Sequence, residues 1–516
     1  MFKGHPKGLI AAALANMGER FGFYIMMAIL SLFLTAKFGL EKTPAAVIYS
    51  VFYALIYLLA LVGGIIADKT RNYKGTILWG LVLMTVGYFL IAIPTPTPVP
   101  SLALYLAMTC GGLLVIAFGN GLFKGNLQAL VGQMYDNNEY SAKRDTGFQI
   151  FYMFINIGGF FAPFVAIGVR NWWLKLHHLA YNSDLPALCH GFLKGNLSPE
   201  ATERLQGLAA EVSGGTAPAD MGAFVNNYLD VFNTGFHYAF GAAIVAMLIS
   251  LTIYIVNKRR FPDPALKAAP KKDGGASAAE TIAPMDAKEI KQRLYALFSV
   301  FAVVIFFWFS FHQNGITLTF FANDYTNLSA IDINLGFTRL VGAEIFQSIN
   351  PFFVVFLTPI VIGLFGWLRA RGKEPSTPKK IAIGMGIAAC AFIVMALGSF
   401  GLPTSAEVKA MGGLPDAARV TPLLLIGTYF ILTVAELFIS PLGLSFVSKV
   451  APPQYQGIMQ GCWLGATAIG NQLLFIGTIL YEHIPIWATW VVFVAACLIS
   501  MFTMLAMLKW LERITK

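Results

Sequence analysis

An acid and a base stand side by side at Glu19 and Arg20, within an apolar run from about Leu9 to Leu34. A run of that length can cross the ~30 Å hydrocarbon core of a bilayer, for which ~20 residues suffice. A charged side chain at mid-bilayer costs at least ~2.5–3.5 kcal/mol, so both groups must face protein or a wet cavity. At helical spacing Asn16, Arg20, Tyr24 and Met27 share one stripe, and Glu19 points roughly 100° away. Consecutive helical positions do not face each other, so the pattern predicts partners for Glu19 and Arg20 on other helices. The plain structural alternative is an ion pair that locks a bundle.

Single polar groups recur in other apolar runs. Lys124 lies in Gly119-Asn120-Gly121-Leu122-Phe123-Lys124-Gly125-Asn126 and needs an anionic partner or a cavity. Asn156 lies in Phe151-Tyr152-Met153-Phe154-Ile155-Asn156-Ile157-Gly158-Gly159, where it could bind a ligand or bridge two helices. Glu436 is the one acid in its run, with Ser440 a turn further on and Pro441 suggesting a kink. The chemistry available is the binding of charged ends and the handling of protons, not bond cleavage. Nothing resembles paired aspartates, a Ser–Lys dyad or HExxH, so an intramembrane hydrolase is disfavoured and no enzyme is expected. The polar groups are single and of both signs, unlike the rings of like charge in a channel filter. The five cysteines have no metal or disulfide spacing and read as buried small hydrophobes, so neither metal nor cofactor is expected.

The elements that must hold these groups are apolar helices. The chain is 516 residues, 57% hydrophobic and only 12% charged. A soluble protein carries about twice that charged fraction, which makes this a polytopic membrane protein. Runs of spanning length follow the first near 44–66, 75–94, 102–131, 147–168 and 236–256, then 293–321, 347–368, 380–400, 421–447, 457–480 and 485–509. Twelve spans in two sixes are predicted, an all-α membrane fold with domains at 1–256 and 293–516. The net charge of +10 sits in short loops bearing Lys69, Arg71, Lys74, Lys143, Arg144 and Arg369–Lys373, and in the tail. That is the positive-inside pattern of a multi-pass protein of the cell (inner) membrane, with both termini cytoplasmic, and it says nothing for nucleic acid. The first apolar segment lacks a cleavage site in the right place and reads as a retained helix. Residues 257–292 open with Lys258, Arg259 and Arg260, continue through Ala, Pro and Gly, and read as a flexible cytoplasmic linker. Residues 170–235 fall outside the membrane and read as a small extracytoplasmic cap, helical near 198–212.

Six plus six helices around a basic linker is the layout of a major facilitator transporter. The stretch Gly63-Gly64-Ile65-Ile66-Ala67-Asp68-Lys69, with Arg71 and Lys74 beyond it, resembles that superfamily's loop motif after helix 2. Its glycines allow close helix packing, and Asp68 can cap or pair at the cytoplasmic gate. With Glu19-Arg20-Phe21, Phe151–Gly159, Glu436–Gly443, Asn120–Asn126 and Gln347-Ser348-Ile349-Asn350-Pro351, the chain resembles the proton-coupled oligopeptide transporter family over nearly its whole length. The resemblance implies that Arg20 and Lys124 receive a peptide's carboxylate and Glu436 its ammonium. It further implies that Tyr24, Tyr57, Asn156, Trp308, Asn350 and Trp463 line the pocket, where Gln313 and Ser440 are also expected. A zwitterion needs a positive and a negative pole, and aromatic walls tolerate varied side chains.

The chain departs from that family at three informative positions. Asn16 stands where a second glutamate is usual, Met27 where bacterial members often carry arginine, and His312 where helix 7 usually has an acid. Proton coupling is therefore expected at Glu19, Glu436 or His312. The 257–292 segment is too short for the extra helix pair of many bacterial members. The expected function is uptake of di- and tripeptides by a monomer, driven by protons through alternating access. The alternatives are a carrier of another anionic or zwitterionic solute, or a peptide carrier uncoupled from protons.

Overall fold

The computed structural model describes residues 4–135, 139–140, 143–262, 286–452 and 455–515. Among the described residues, twelve segments are long and apolar enough to cross a membrane. In lipid every backbone polar group must be bonded internally, so apolar runs of this length fold as helices. The first half holds α1 (Leu9–Phe38), α2 (Lys42–Thr70), α3 (Tyr73–Ala92), α4 (Leu102–Gln133) and α5 (Arg144–Leu176). It continues through short α6 (Leu185–Lys194) and α7 (Pro199–Val212) to α8 (Met221–Asn257). The second half holds α9 (Ala287–Phe311), α10 (Thr317–Tyr325), α11 (Ile349–Ala370), α12 (Thr377–Gly398) and short α13 (Ser405–Ala410). It ends with α14 (Pro422–Val450), α15 (Gln456–Gln472), α16 (Leu474–His483) and α17 (Ile486–Thr515).

Helix 1 is the most enclosed span, wedged between α5 and α8, while α4 packs on α2 and α3. In the second half α12 packs on α14 and α17, and α9 on α15 and α17. The halves meet where α2 runs along α15 and α16, and where α5 meets α11. Both described ends lie on one face of the bundle. The opposite face carries α6, α7, α13 and a hairpin of β1 (Ile333–Asn334) and β2 (Arg339–Leu340), with Ile333 opposite Leu340.

Helix 5 runs to Leu176 and α8 begins at Met221, so the excursion between them is residues 177–220, shorter than the 170–235 read from hydropathy. Within it α7 matches the helix expected near 198–212. Residues 263–285 of the linker lie outside the described residues. Two spans are broken: a 3-10 turn at His312–Gly315 separates α9 from α10, and α15 gives way to α16 at Leu473. The breaks face each other, and side chains take up the freed carbonyls. Gln313 Nε2 donates to Leu474 O at 3.2 Å, and Asn314 O accepts from Gln347 Nε2 at 2.6 Å and Tyr429 OH at 2.7 Å. Irregular backbone at membrane depth is tolerated when it is satisfied this way.

Candidate functional site

The polar groups gather between the halves as two poles. In the first half Arg20 donates to its own neighbour, Nε to Glu19 Oε2 at 2.5 Å and Nη2 to Oε1 at 2.6 Å. Asn120 on α4 donates to the same carboxylate at 2.7 Å. This corrects the expectation that consecutive residues cannot pair. The helical angle separates their Cβ atoms, but the long guanidinium arm bridges it, and among the described residues Asn120 alone bonds the pair from another helix. Both side chains are buried, and Arg20 also lies 4.5 Å from the centre of the Phe23 ring. Asn16 is buried on the same helix.

Lys124, half-buried on α4, makes no ion pair among the described residues; its ammonium sits 4.4 Å over the Tyr57 ring. The aromatic face offers it a quadrupole but no counter-charge. Tyr57 continues a ladder with Tyr49 and Tyr53 at four-residue spacing along α2, ring centres 5.9 and 5.8 Å apart. Only Tyr57 of the three stands out from the sequence as a site residue, though the spacing was visible there.

The second pole is Glu436 on α14. Asn350 Nδ2, at the start of α11, donates to its Oε2 at 2.8 Å and to Thr433 Oγ1 at 3.0 Å. No ion pair to Glu436 is found among the described residues, so in this state it does not reach Lys124. Tyr24 of α1 and Pro351 of α11 both crowd Gly159 of α5, so Tyr24 sits where the two halves meet, and Tyr57 lies under the Lys124 ammonium. Asn156 on α5 bonds Tyr152 O of its own helix through Nδ2 at 3.0 Å, and Ser440 lies one turn beyond Glu436, partly exposed.

His312 joins the halves. Its ring stacks on Trp308, centres 4.8 Å apart, and meets Tyr53 of the first half at 4.8 Å. Its Nδ1 bonds the Asn471 side chain beside the α15–α16 break. Gln313 does not line the space between the poles. It is fully buried, with Nε2 donating to Phe309 O and Leu474 O and Oε1 accepting from Thr317, so its amide knits the broken helices together. Trp463 is likewise nearly buried, packed over Gly443 and 6.2 Å from Phe301. Asp68 is exposed and accepts from Tyr73 across the α2–α3 turn, a contact within one half.

The bonds that join the halves collect on the face away from the termini. Buried Arg170 pairs with buried Glu344, Asn171 donates to Arg339 O and Val341 O, and Lys42 pairs with Asp324 at 2.6 Å. Thr43 Oγ1 donates to Glu482 at 2.5 Å. These bonds tie the two halves together on that face.

Two six-helix halves, a pair of opposed charged poles between them and closure at one face define a multi-pass membrane transporter of the major facilitator type. A profile described as "PTR2: POT family" matches residues 74–273 and 271–488, and the chain belongs to this family. It is 29% identical to the uncharacterized transporter YclF of Bacillus subtilis, over 94% of this chain and 90% of that one. It is 29% identical to the peptide transporter YePEPT of Yersinia enterocolitica (91% and 87% covered). A di-/tripeptide transporter of Lactococcus lactis subsp. cremoris is 27% identical (92% and 89% covered). Among solved structures, a peptide transporter POT in complex with sulfate superposes with a TM-score of 0.72 at 24% identity, covering 100% of this chain and 96% of that one. The fold is therefore that of the POT transporters.

Proposed function

We propose that the protein imports di- and tripeptides by alternating access, coupled to protons, as a monomer in the cell membrane with both termini in the cytoplasm. The observation that carries this reading is the pair of poles: an unpaired ammonium at Lys124 beside Arg20, and a carboxylate at Glu436 held by Asn350. An L-peptide presents the matching carboxylate and ammonium at its two ends whatever its side chains. The aromatic lining supplied by Tyr24, Tyr57 and Trp308 suits varied side chains. The names of the Yersinia and Lactococcus relatives support the substrate class. Basic loops on the face of the termini support the orientation.

Arg20 and Lys124 take the peptide carboxylate, Glu436 with Asn350 takes the ammonium, and Glu19, Glu436 or His312 carries the proton. Counterflow of labelled dialanine against labelled nitrate in proteoliposomes tests the substrate, and an ionophore tests the coupling. Dialanine counterflow that persists while uphill uptake survives proton uncoupling would favour a peptide carrier without proton symport, a reading that Asn16 in place of an acid supports.

A further inference from the structure

The excursion at 177–220 is built into the first half but grips the second. On its own side α6 buries Leu185, Leu188 and Cys189, and α7 buries Ala201, Leu205, Ala209 and Val212. His190 Nε2 bonds Ala36 O at 2.7 Å and Lys194 donates to Gly39 O at 2.9 Å, both at the end of α1. Ala180 N donates to Val212 O, and Tyr228 OH of α8 donates to Ala180 O. An apolar seat with those bonds makes α6 and α7 move with the first half.

Across the divide the excursion meets residues 404–419 of the second half. Asp184 lies between two guanidiniums, Arg204 of α7 at 2.8 Å and Arg419 of the second half at 2.7 Å. Arg204 reaches over to Gly412 O at 2.9 Å and Leu414 O at 2.8 Å, and Ser198 Oγ donates to Ala410 O at 2.5 Å. The backbone is shaped for this fit. Gly412 and Gly413 have φ of +73° and +107°, which disfavour any side chain, and a Cβ on Gly413 would overlap the Asp184 carboxylate. Beneath lies a cavity of about 470 Å³ bordered by both halves, including Arg170, Phe236, Lys42 and Asp324. Its charged walls are already bonded: Arg170 to Glu344, Lys42 to Asp324 and Glu41 to Lys409.

We infer that α6 and α7 form a strap that holds the extracytoplasmic face shut, and that the Asp184–Arg419 and Arg204–Gly412 contacts must break each time the carrier opens outward. The inference rests on the alternating-access reading above. Asp184 and Arg419 are nearly buried. Removing one partner of a buried pair leaves an uncompensated charge, which favours the state in which water reaches it.

The test reads conformation without substrate. Spin labels on Gln206→Cys and Ala417→Cys, in full-length protein with its native cysteines replaced, report the separation of strap and second half by double electron–electron resonance. Asp184→Asn and Arg204→Gln are each expected to raise the long-distance population several-fold over the parent. Unchanged distributions in both variants overturn the strap, whatever peptide uptake does. Should either variant fail to fold, a disulfide between Ser198→Cys and Ala410→Cys decides. Uptake abolished when oxidised and restored by reductant supports the strap, and full uptake with the disulfide formed overturns it. If the parent moves no peptide at all, the substrate assignment fails while the distance measurement still judges the strap.

Discussion

Arg20 closes on Glu19 through two hydrogen bonds of 2.5 and 2.6 Å, and so spends its charge on its own neighbour. Lys124 is left over the Tyr57 ring, with no acid paired to it among the described residues. If the two take a peptide carboxylate, as proposed, losing either one weakens binding. Lys124→Ala and Arg20→Ala are each expected to weaken dialanine binding about 10- to 100-fold, the range spanned by a charge-assisted hydrogen bond of ~1.5–3 kcal/mol. Titration calorimetry in detergent measures this, with a melting curve to show that the variants fold. Unchanged affinity in either variant would remove that residue from the site.

Glu436 accepts only a neutral donor, Asn350, at 2.8 Å among its described bonds, so a cationic ligand end has a carboxylate to meet. Glu436→Gln is expected to cost free dipeptides about tenfold or more in affinity while N-acetylated dipeptides change little. Binding of both peptide types to both proteins decides the matter. Equal loss for the two would leave Glu436 a structural or proton-handling group.

His312 packs between Trp308 and Tyr53, one ring from each half, so its environment changes whenever the halves part. If His312 carries the coupled proton, His312→Gln flattens the pH dependence of uptake and abolishes uphill accumulation. Counterflow, which needs no net proton movement, persists. A mutant that keeps the parent pH profile and still accumulates dialanine shifts the role to Glu19 or Glu436.

The two glycines of the α2 motif differ in duty. A Cβ on Gly63 would run into the backbone of Gly121 on α4, whereas one on Gly64 meets nothing within 4 Å. Gly63→Ala is expected to cost ~1–3 kcal/mol, as overpacking does, and to lower the melting temperature visibly. Gly64→Ala serves as the silent control. Equal melting of the two variants would show that α2 and α4 can separate freely at this crossing.

On the face of the termini, Arg369 and Lys380 clip Glu374 between α11 and α12, with bonds of 2.6 and 2.5 Å. The hydrogen bonds from Arg369 and then Lys380 hold the Glu374 carboxyl down at about 2, below its ordinary 4.5. A depressed carboxylate stabilises the fold above its ordinary value and loses that contribution as pH falls through the folded value. Glu374→Gln should thus melt below the parent at pH 7, with the gap closing between pH 4.5 and 2. A gap that stays constant over that window would show that the clip contributes nothing through its charge.

The twelve spans were legible from the sequence because the terms that decide them are local. An apolar run of ~20 residues is driven into lipid wherever it occurs. Lys124 and Glu436 announced themselves for the same reason: a charge in such a run is expensive, and the expense shows in one dimension. Partner choice needed the tertiary structure. Glu19 found its second donor, Asn120, 101 residues away, and His312 found Asn471 at a separation of 159. Gln313 is expected in the pocket from the sequence, yet in the fold its amide bonds Phe309 O and Leu474 O beside the α15–α16 break. The seat that Gly413 leaves for the Asp184 carboxylate likewise exists only once the two halves are packed together. Helical periodicity says which face a residue occupies; which helix arrives at that face is settled by the packing of the whole bundle.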